Sequence, residues 1–218
     1  ITWMGNKDRE FLAKLKNAWD LYFSKHPNLV LALSGSLSAW IEKNILSSTG
    51  FLGRISSTIH LNELSLSAAR QFWPENITNY EALKVLAITG GVPRYLEQVS
   101  PSLSAEENIK NLCFSPQGTL HDEFERIFSD LFDKKSELYK KIVSCLAHRK
   151  ATLKEITDKL QLDKGGYISS YLNDLVKSGF IQKDLSWQMK TGKVGHKAHY
   201  RLSDNYSLFY LKYIFPKR

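Results

Sequence analysis

Residues 28–61 read NLVLALSGSLSAWIEKNILSSTGFLGRISSTIHL, and this stretch decides the fold that the sequence predicts. The run 29–33 is apolar throughout and has the length of a strand that is buried on both faces. A polar tip with Ser34 and Ser36 follows it, and a second, β-branched run at 55–61 closes the stretch. With a helix between the two runs, this order predicts a βαβ unit, in which ligands bind at the carboxyl ends of the strands.

The connection between the two runs carries the first charged candidate. The helix is predicted over residues 37–46, and a glycine-containing turn comes next at residues 50–53. Arg54 lies directly after this turn. The unit therefore offers serine hydroxyl groups at one strand end and a guanidinium group at the start of the next strand.

The composition is that of an ordinary globular protein. The 218 residues allow one or two domains with substantial cores. No apolar run approaches the length of a membrane span, and no signal peptide is recognisable, so no membrane contact is expected. Two isolated cysteines, Cys113 and Cys145, are interpreted as buried, reduced thiols of a cytoplasmic protein. The chain starts at Ile1 in the middle of a pattern, which we interpret as a fragment of a longer protein.

The net charge of +8 is concentrated in the second half of the chain. Residues 1–132 contain 12 Lys and Arg against 14 Asp and Glu, whereas residues 133–218 contain 18 against 8. A basic half indicates an acidic partner, and nucleic acid is the first candidate. A solvated basic surface without a partner explains the same charge equally well.

Residues 65–132 are predicted to form a small helical domain. Thr78 and Glu81, and then Ser104 and Glu107, have the spacing of capping boxes at helix starts. Gly90 and Gly91 end one helix, and Pro93 stands at the first turn of the next, where its missing N–H is not needed.

Residues 133–218 change to another pattern. A third capping box, Thr152 with Glu155, lies between two amphipathic helices, and a further helix is predicted around residues 168–176. Two strands at 180–187 and 199–202 flank a loop that is rich in lysine and glycine. Three helices and a hairpin with a basic tip are typical of a winged helix-turn-helix.

Several of these segments resemble the STAND branch of AAA+ ATPases, as found in archaea and bacteria. ITWMG at the start resembles the segment just after the Walker B strand, and LALSGSLSAWIEKNIL resembles the sensor-1 strand and its helix. FLGRISSTIHLNELSL, TGGVPRYL and YRLSDNYSLFYLKYIF resemble the next loop and strand, the lid motif and the end of the winged helix.

The resemblance implies a mainly α fold with α/β and α+β parts. Residues 1–64 would be the C-terminal part of a P-loop ATPase core, residues 65–132 a helical lid, and residues 133–218 a winged helix with a final helix. ATP or ADP with Mg²⁺ would bind the intact parent protein. No G-x-x-x-x-G-K-S/T motif occurs, so these residues alone are expected neither to hydrolyse ATP nor to bind it tightly.

The resemblance also assigns roles in the nucleotide site. The catalytic candidates are Ser34, Ser36 and Arg54, and the nucleotide-binding candidates are Gly91, Pro93 and Arg94. Each has a plain structural alternative. The serines can cap the next helix, Arg54 can form a structural ion pair, and the glycine–proline motif can be an ordinary connection between helices.

A winged helix would bring a second set of polar side chains to DNA. The third helix and its approach offer Lys164, Ser169, Ser170, Asn173 and Lys177, and the loop of the hairpin offers Lys190, Lys193 and Lys197. Helix side chains of this kind read base edges, and lysines contact phosphates. Asp174 on the same helix would oppose a phosphate, and a winged helix can instead pack on the ATPase core or bind a protein.

Three functions therefore stay open from the sequence. The first is a nucleotide-controlled ATPase whose winged helix engages DNA or a protein, with the upstream half of its own chain and a homo-oligomer as further partners. The second is a DNA-binding regulator that needs no nucleotide. The third is a protein-interaction module.

Overall fold

A computed structural model of the chain describes residues 1–35, 39–132, 135–162 and 167–217. These residues belong to two compact units, Ile1–His60 and Leu61–Arg218. The described chain is mainly helical and contains a small antiparallel sheet, which confirms the α-rich character of the predicted fold.

The first unit consists of short helices joined by extended segments. Its elements are α1 (Thr2–Lys7), α2 (Phe11–Leu21), a 3₁₀ turn (Phe23–Lys25), α3 (Ala39–Ile41) with a π-helical turn (Glu42–Leu46), and a second 3₁₀ turn (Thr49–Phe51). The predicted helix over residues 37–46 is thus present from residue 39 onward, and its predicted start lies outside the described residues.

The two predicted strands in the first part of the chain are not formed. Residues 29–33 and 55–61 carry no strand pairing, and both segments are exposed along their length. Val30 is 90% exposed and Leu61 is 93% exposed. The strand prediction was wrong for a physical reason: a strand that is buried on both faces needs neighbours to pair with its backbone, and none of the described residues supplies one to either run.

The second unit begins with helices that follow the predicted order. They are α4 (Leu66–Ala69) with a 3₁₀ turn (Arg70–Phe72), α5 (Asn79–Thr89), α6 (Pro93–Leu96), α7 (Ala105–Ile109) with a π-helical turn (Lys110–Phe114), and α8 (Glu123–Phe132). The Ser104 capping box is confirmed, with reciprocal hydrogen bonds to Glu107. At the start of α5, the Thr78 hydroxyl accepts from the Glu81 N–H, but the Glu81 carboxylate accepts from the Ala105 N–H at 2.9 Å.

The unit continues with α9 (Ser136–Leu146), α10 (Leu153–Leu160), α11 (Tyr167–Lys177), β1 (Ile181–Trp187), β2 (Val194–Leu202), and α12 (Asn205–Phe209) with a π-helical turn (Tyr210–Ile214) and a last 3₁₀ turn (Phe215–Lys217). The two strands pair antiparallel, and β2 is longer than predicted. Ala151, between α9 and α10, adds a bridge to Tyr200 through backbone hydrogen bonds of 2.9 and 2.7 Å. The capping box of Thr152 and Glu155 is confirmed.

One hydrophobic cluster extends through the second unit from Ala69 to Ile214. Phe124 of α8 stacks on Tyr210 with ring centroids 4.5 Å apart, and the ring centroids of Phe128 and Phe180 are 4.8 Å apart. Residues 65–132 and 133–218 were predicted as separate domains, and in the structure they contribute to the same core. Leu172 of α11 and Ile181 of β1 both belong to this cluster.

None of the described helices is both long enough and apolar enough to cross a membrane.

Candidate nucleic-acid interface and nucleotide contacts

Helix α11 has one buried and one exposed side. Ile168, Leu172 and Leu175 are buried in the core. The four predicted DNA contacts on this helix are all exposed: Ser169, Ser170, Asn173 and Lys177. The predicted reading surface of the helix is therefore accessible. Lys164, which was predicted to precede it, lies outside the described residues.

The acidic residue of α11 does not point freely into this surface. Asp174 is half-buried, and its carboxylate accepts a hydrogen bond of 2.6 Å from the Tyr139 hydroxyl of α9. Burial, and then this hydrogen bond, raise the pKa of Tyr139 above its ordinary value, so Tyr139 remains a donor. The contact gives Asp174 a structural role, because it joins α11 to α9.

Lys190 and Lys193 lie in the turn of the hairpin, and Lys197 lies further along β2. The Gln188 N–H donates to the Lys193 carbonyl at 3.0 Å, and the Gly192 N–H donates to the Gln188 carbonyl at 2.9 Å. Gly192 has a φ of 67°, a left-handed conformation that suits glycine. The side chains of Lys190, Lys193 and Lys197 are all exposed.

Two further cations lie beside the hairpin and were not predicted. Arg149 and Lys150 are exposed in the turn before Ala151, whose bridge joins this turn to β2. Glu155 has a lowered pKa, first because Thr152 donates hydrogen bonds to it and then because Arg149 and Lys197 are close enough to act through their charges. The sequence feature that could have indicated these two cations is the basic run at residues 148–150.

Trp187 is a further residue that the sequence did not single out. The pattern indicated only the last residue of a strand, but its side chain is 61% exposed. An exposed tryptophan next to exposed lysines is uncommon on an inert surface, since tryptophan is usually highly buried.

Arg54 forms a structural ion pair. Its Nε and Nη2 donate to the two carboxylate oxygens of Asp20 at 2.7 and 2.8 Å, and Nη1 donates to the carbonyls of Gly50 and Leu52. The guanidinium group thus links the turn at residues 50–54 to α2. This is the structural alternative that the sequence left open, and the catalytic role of Arg54 stays a prediction.

The serine tip lies against the start of the chain. The Ser34 carbonyl accepts a hydrogen bond of 2.9 Å from the Ile1 nitrogen. A Cβ atom on Gly35 would lie 3.2 Å from the Thr2 hydroxyl and 3.3 Å from an Ile1 methyl group, so the backbones approach closely. Ser34 is exposed, and Ser36 lies outside the described residues.

The glycine–proline motif has one buried and two exposed members. A Cβ atom on Gly91 would lie 2.1 Å from the Leu64 carbonyl oxygen, so only glycine fits there. The Gly91 N–H donates to Glu63 at 3.3 Å. Pro93 and Arg94, which begin α6, are exposed.

Two of the predicted nucleotide contacts are already engaged within the chain. Arg54 and the Gly91 N–H donate to carboxylates of this chain. A phosphate near Gly91 would also meet the negative charge of Glu63. In this structure, each of these two donors already has a carboxylate partner within the chain.

Among the described residues, no cluster of three or more His, Cys, Asp or Glu side chains could hold a metal ion. Cys113 and Cys145 are buried and form no disulfide, as predicted. Burial raises the pKa of Cys113 to about 12, so this thiol stays protonated.

A search of curated proteins finds an uncharacterized protein of Methanocaldococcus jannaschii, MJECL04, that is 25% identical to this chain over 199 residues. The alignment covers 90% of this chain and 43% of that protein, so the chain spans less than half the length of this relative. No protein-family profile and no solved structure matches the chain.

Proposed function

We propose that this chain is part of a STAND-type AAA+ ATPase in which residues 136–202 form a winged helix that binds double-stranded DNA under nucleotide control. One observation carries the DNA-binding part of the proposal. The helices α9, α10 and α11 precede an antiparallel hairpin, Ala151 bridges to that hairpin, and exposed cations lie on the third helix and at the tip.

Each part of this arrangement suits one feature of duplex DNA. An α-helix fits the major groove, where serine and asparagine side chains can donate to and accept from base edges and lysine side chains can donate to them. Lysines on a projecting hairpin contact phosphates and fix the register of the helix without reading sequence. Arg149 and Lys150 extend the same positive surface along the base of the hairpin.

The nucleotide part of the proposal depends on the resemblance and on the order of its motifs. The contact of Ser34 and Gly35 with Ile1 and Thr2 supports it, because the resemblance implies that the sensor-1 and Walker B segments are neighbours. In the parent protein, ATP and DNA would be coupled ligands, each changing the affinity for the other by the same factor.

The DNA-binding part is tested with the triple variant Lys190→Ala, Lys193→Ala, Lys197→Ala. Removing three phosphate contacts should weaken duplex binding across unrelated sequences. The negative slope of log K against log salt should become less steep by about 2 to 3. Fluorescence anisotropy of a labelled blunt duplex, measured over a range of salt concentrations, gives both quantities.

The matched control removes the same charge elsewhere. Lys25, Lys43 and Lys110 are also exposed, and the variant with alanine at these three positions should keep the affinity and the salt slope of the original chain. If both triple variants lose affinity equally, the binding reflects net charge only and the winged-helix interface is wrong.

The nucleotide part has a separate test in the coding sequence before Ile1. The proposal requires a G-x-x-x-x-G-K-S/T loop and an apolar strand that ends in Asp-Glu. A coding sequence without them would overturn the ATPase part and leave a DNA-binding regulator that needs no nucleotide.

A further inference from the structure

The hairpin carries an apolar row beyond the protein core. Side chains alternate between the two faces of a strand, so Leu185 and Trp187 share the face of β1 that also carries Ile181 and Lys183. The pairing with β2 is irregular between Leu185 and Trp187. Ile181 is 2% exposed, whereas Leu185 is 52% and Trp187 is 61% exposed. Leu185 and Trp187 are therefore more than half exposed beyond the core, and the exposed Lys183 separates them from Ile181.

The partner strand and the turn enlarge this surface. Val194 pairs with Trp187 across the hairpin and is 61% exposed, and Met189 in the turn is 85% exposed. We call the side chains of Leu185, Trp187, Met189 and Val194 the tip surface. Packing of the core does not explain why these apolar groups face water at the end of a projecting hairpin.

The charges around the tip surface select its ligand. Residues 188–199 contain three lysines and no Asp or Glu. The ligand must therefore combine dense negative charge with flat apolar faces. Unpaired nucleotides have both, since the phosphates carry charge and each unstacked base exposes a π-face.

We propose that Trp187 stacks on an unpaired base, so that the hairpin tip favours DNA in which single-stranded nucleotides adjoin a duplex. This inference depends on the proposed DNA-binding function. In a blunt duplex the faces of the bases are stacked on one another, and a side chain can reach them only after a step is unstacked at an energetic cost. At a fork the faces are already accessible, and the lysines hold the adjoining phosphates.

The test compares a blunt duplex with a forked duplex of the same paired sequence, by anisotropy at constant salt. The original chain should bind the fork more tightly. Trp187→Ala should lose that preference, with a decrease of roughly tenfold in affinity for the fork and little change for the blunt duplex. Trp187→Phe, which keeps an aromatic face, should retain most of the preference.

Tyr80→Ala serves as the matched control, because Tyr80 is an exposed aromatic residue on α5, 70% exposed, away from the hairpin in sequence. It should bind both DNAs like the original chain. Equal affinity for fork and blunt duplex, or an unchanged preference in Trp187→Ala, would overturn this inference while DNA binding stands. No binding to either DNA would overturn the proposed function itself. Competition by poly-glutamate as effective as that by forked DNA would overturn the inference in favour of an acidic protein.

Discussion

Arg54 is held by two hydrogen bonds to the carboxylate of Asp20, which lies 34 positions earlier in the chain. The glycine turn before Arg54 gave no indication of this partner. The same is true of Asp174, whose partner Tyr139 lies 35 positions away. By contrast, the capping boxes were predicted because both of their members lie within one helical turn. Side-chain pairs that are set by tertiary structure leave no such local signal.

The pH dependence of Asp20 tests the ion pair. Hydrogen bonding to Arg54 holds the pKa of Asp20 below its ordinary value of 3.8. A lowered pKa stabilises the folded state above the unfolded pKa, and this contribution is lost as the pH falls through the folded value. Arg54→Ala should therefore raise the pKa of Asp20 toward 3.8, measured by NMR titration of its carboxyl carbon.

Arg9→Ala is the control for this titration, because Arg9 is an exposed arginine of the same unit. It should leave the pKa of Asp20 lowered. An Asp20 that titrates identically in the original chain and in Arg54→Ala would show that the pair does not form in solution. The guanidinium group would then be available for the phosphate contact that the resemblance implies.

At the scale of elements, the helices could be predicted from the sequence. Strands could be predicted only where the strand that pairs with them lies close by in the sequence. The helical ranges of the second unit follow the apolar spacing of the sequence, because a helix makes its backbone hydrogen bonds within itself. The hairpin of β1 and β2 was predicted because both strands are close in sequence. The runs 29–33 and 55–61 have the composition of strands, but composition does not supply the neighbouring backbone that a strand requires.

One buried hydroxyl joins the last helix to the start of α8. The Tyr206 hydroxyl donates to the Leu120 carbonyl at 2.7 Å and accepts from the Phe124 N–H at 3.0 Å. Tyr206→Phe leaves both backbone groups buried without this partner. The expected loss in free energy of unfolding is about 1 to 3 kcal/mol, measured by urea denaturation.

Tyr213→Phe provides the comparison on the same terminal segment. Its side chain is 53% exposed, so removal of its hydroxyl should change the free energy of unfolding by less than about 0.5 kcal/mol. If the two variants unfold at the same urea concentration, the Tyr206 hydroxyl does not bridge the two segments, and the position of α12 depends on ring packing alone.

At the scale of the whole molecule, the buried apolar residues are distributed very unequally between the two units. The hydrophobic cluster uses residues from Ala69 to Ile214, all within Leu61–Arg218. Among the described residues of Ile1–His60, the buried apolar side chains are Ile45 and Phe51. Folding must offset the loss of chain entropy by burial of apolar surface, and the two units are very unequal in this respect.

This inequality predicts that the fragment Leu61–Arg218 folds cooperatively, with a single unfolding transition by circular dichroism and by fluorescence of its tryptophans, of which Trp73 is buried. The fragment Ile1–His60 should show no cooperative transition, because so few of its described side chains are buried. Hydrogen exchange of the intact chain gives a second measurement: amides of residues 29–33 and 55–61 lack ladder partners and should exchange fast, whereas those of α9 and α11 should be protected. Protection at residues 29–33 would show that this segment pairs with another strand, and the βαβ unit predicted from the sequence would then be present in solution.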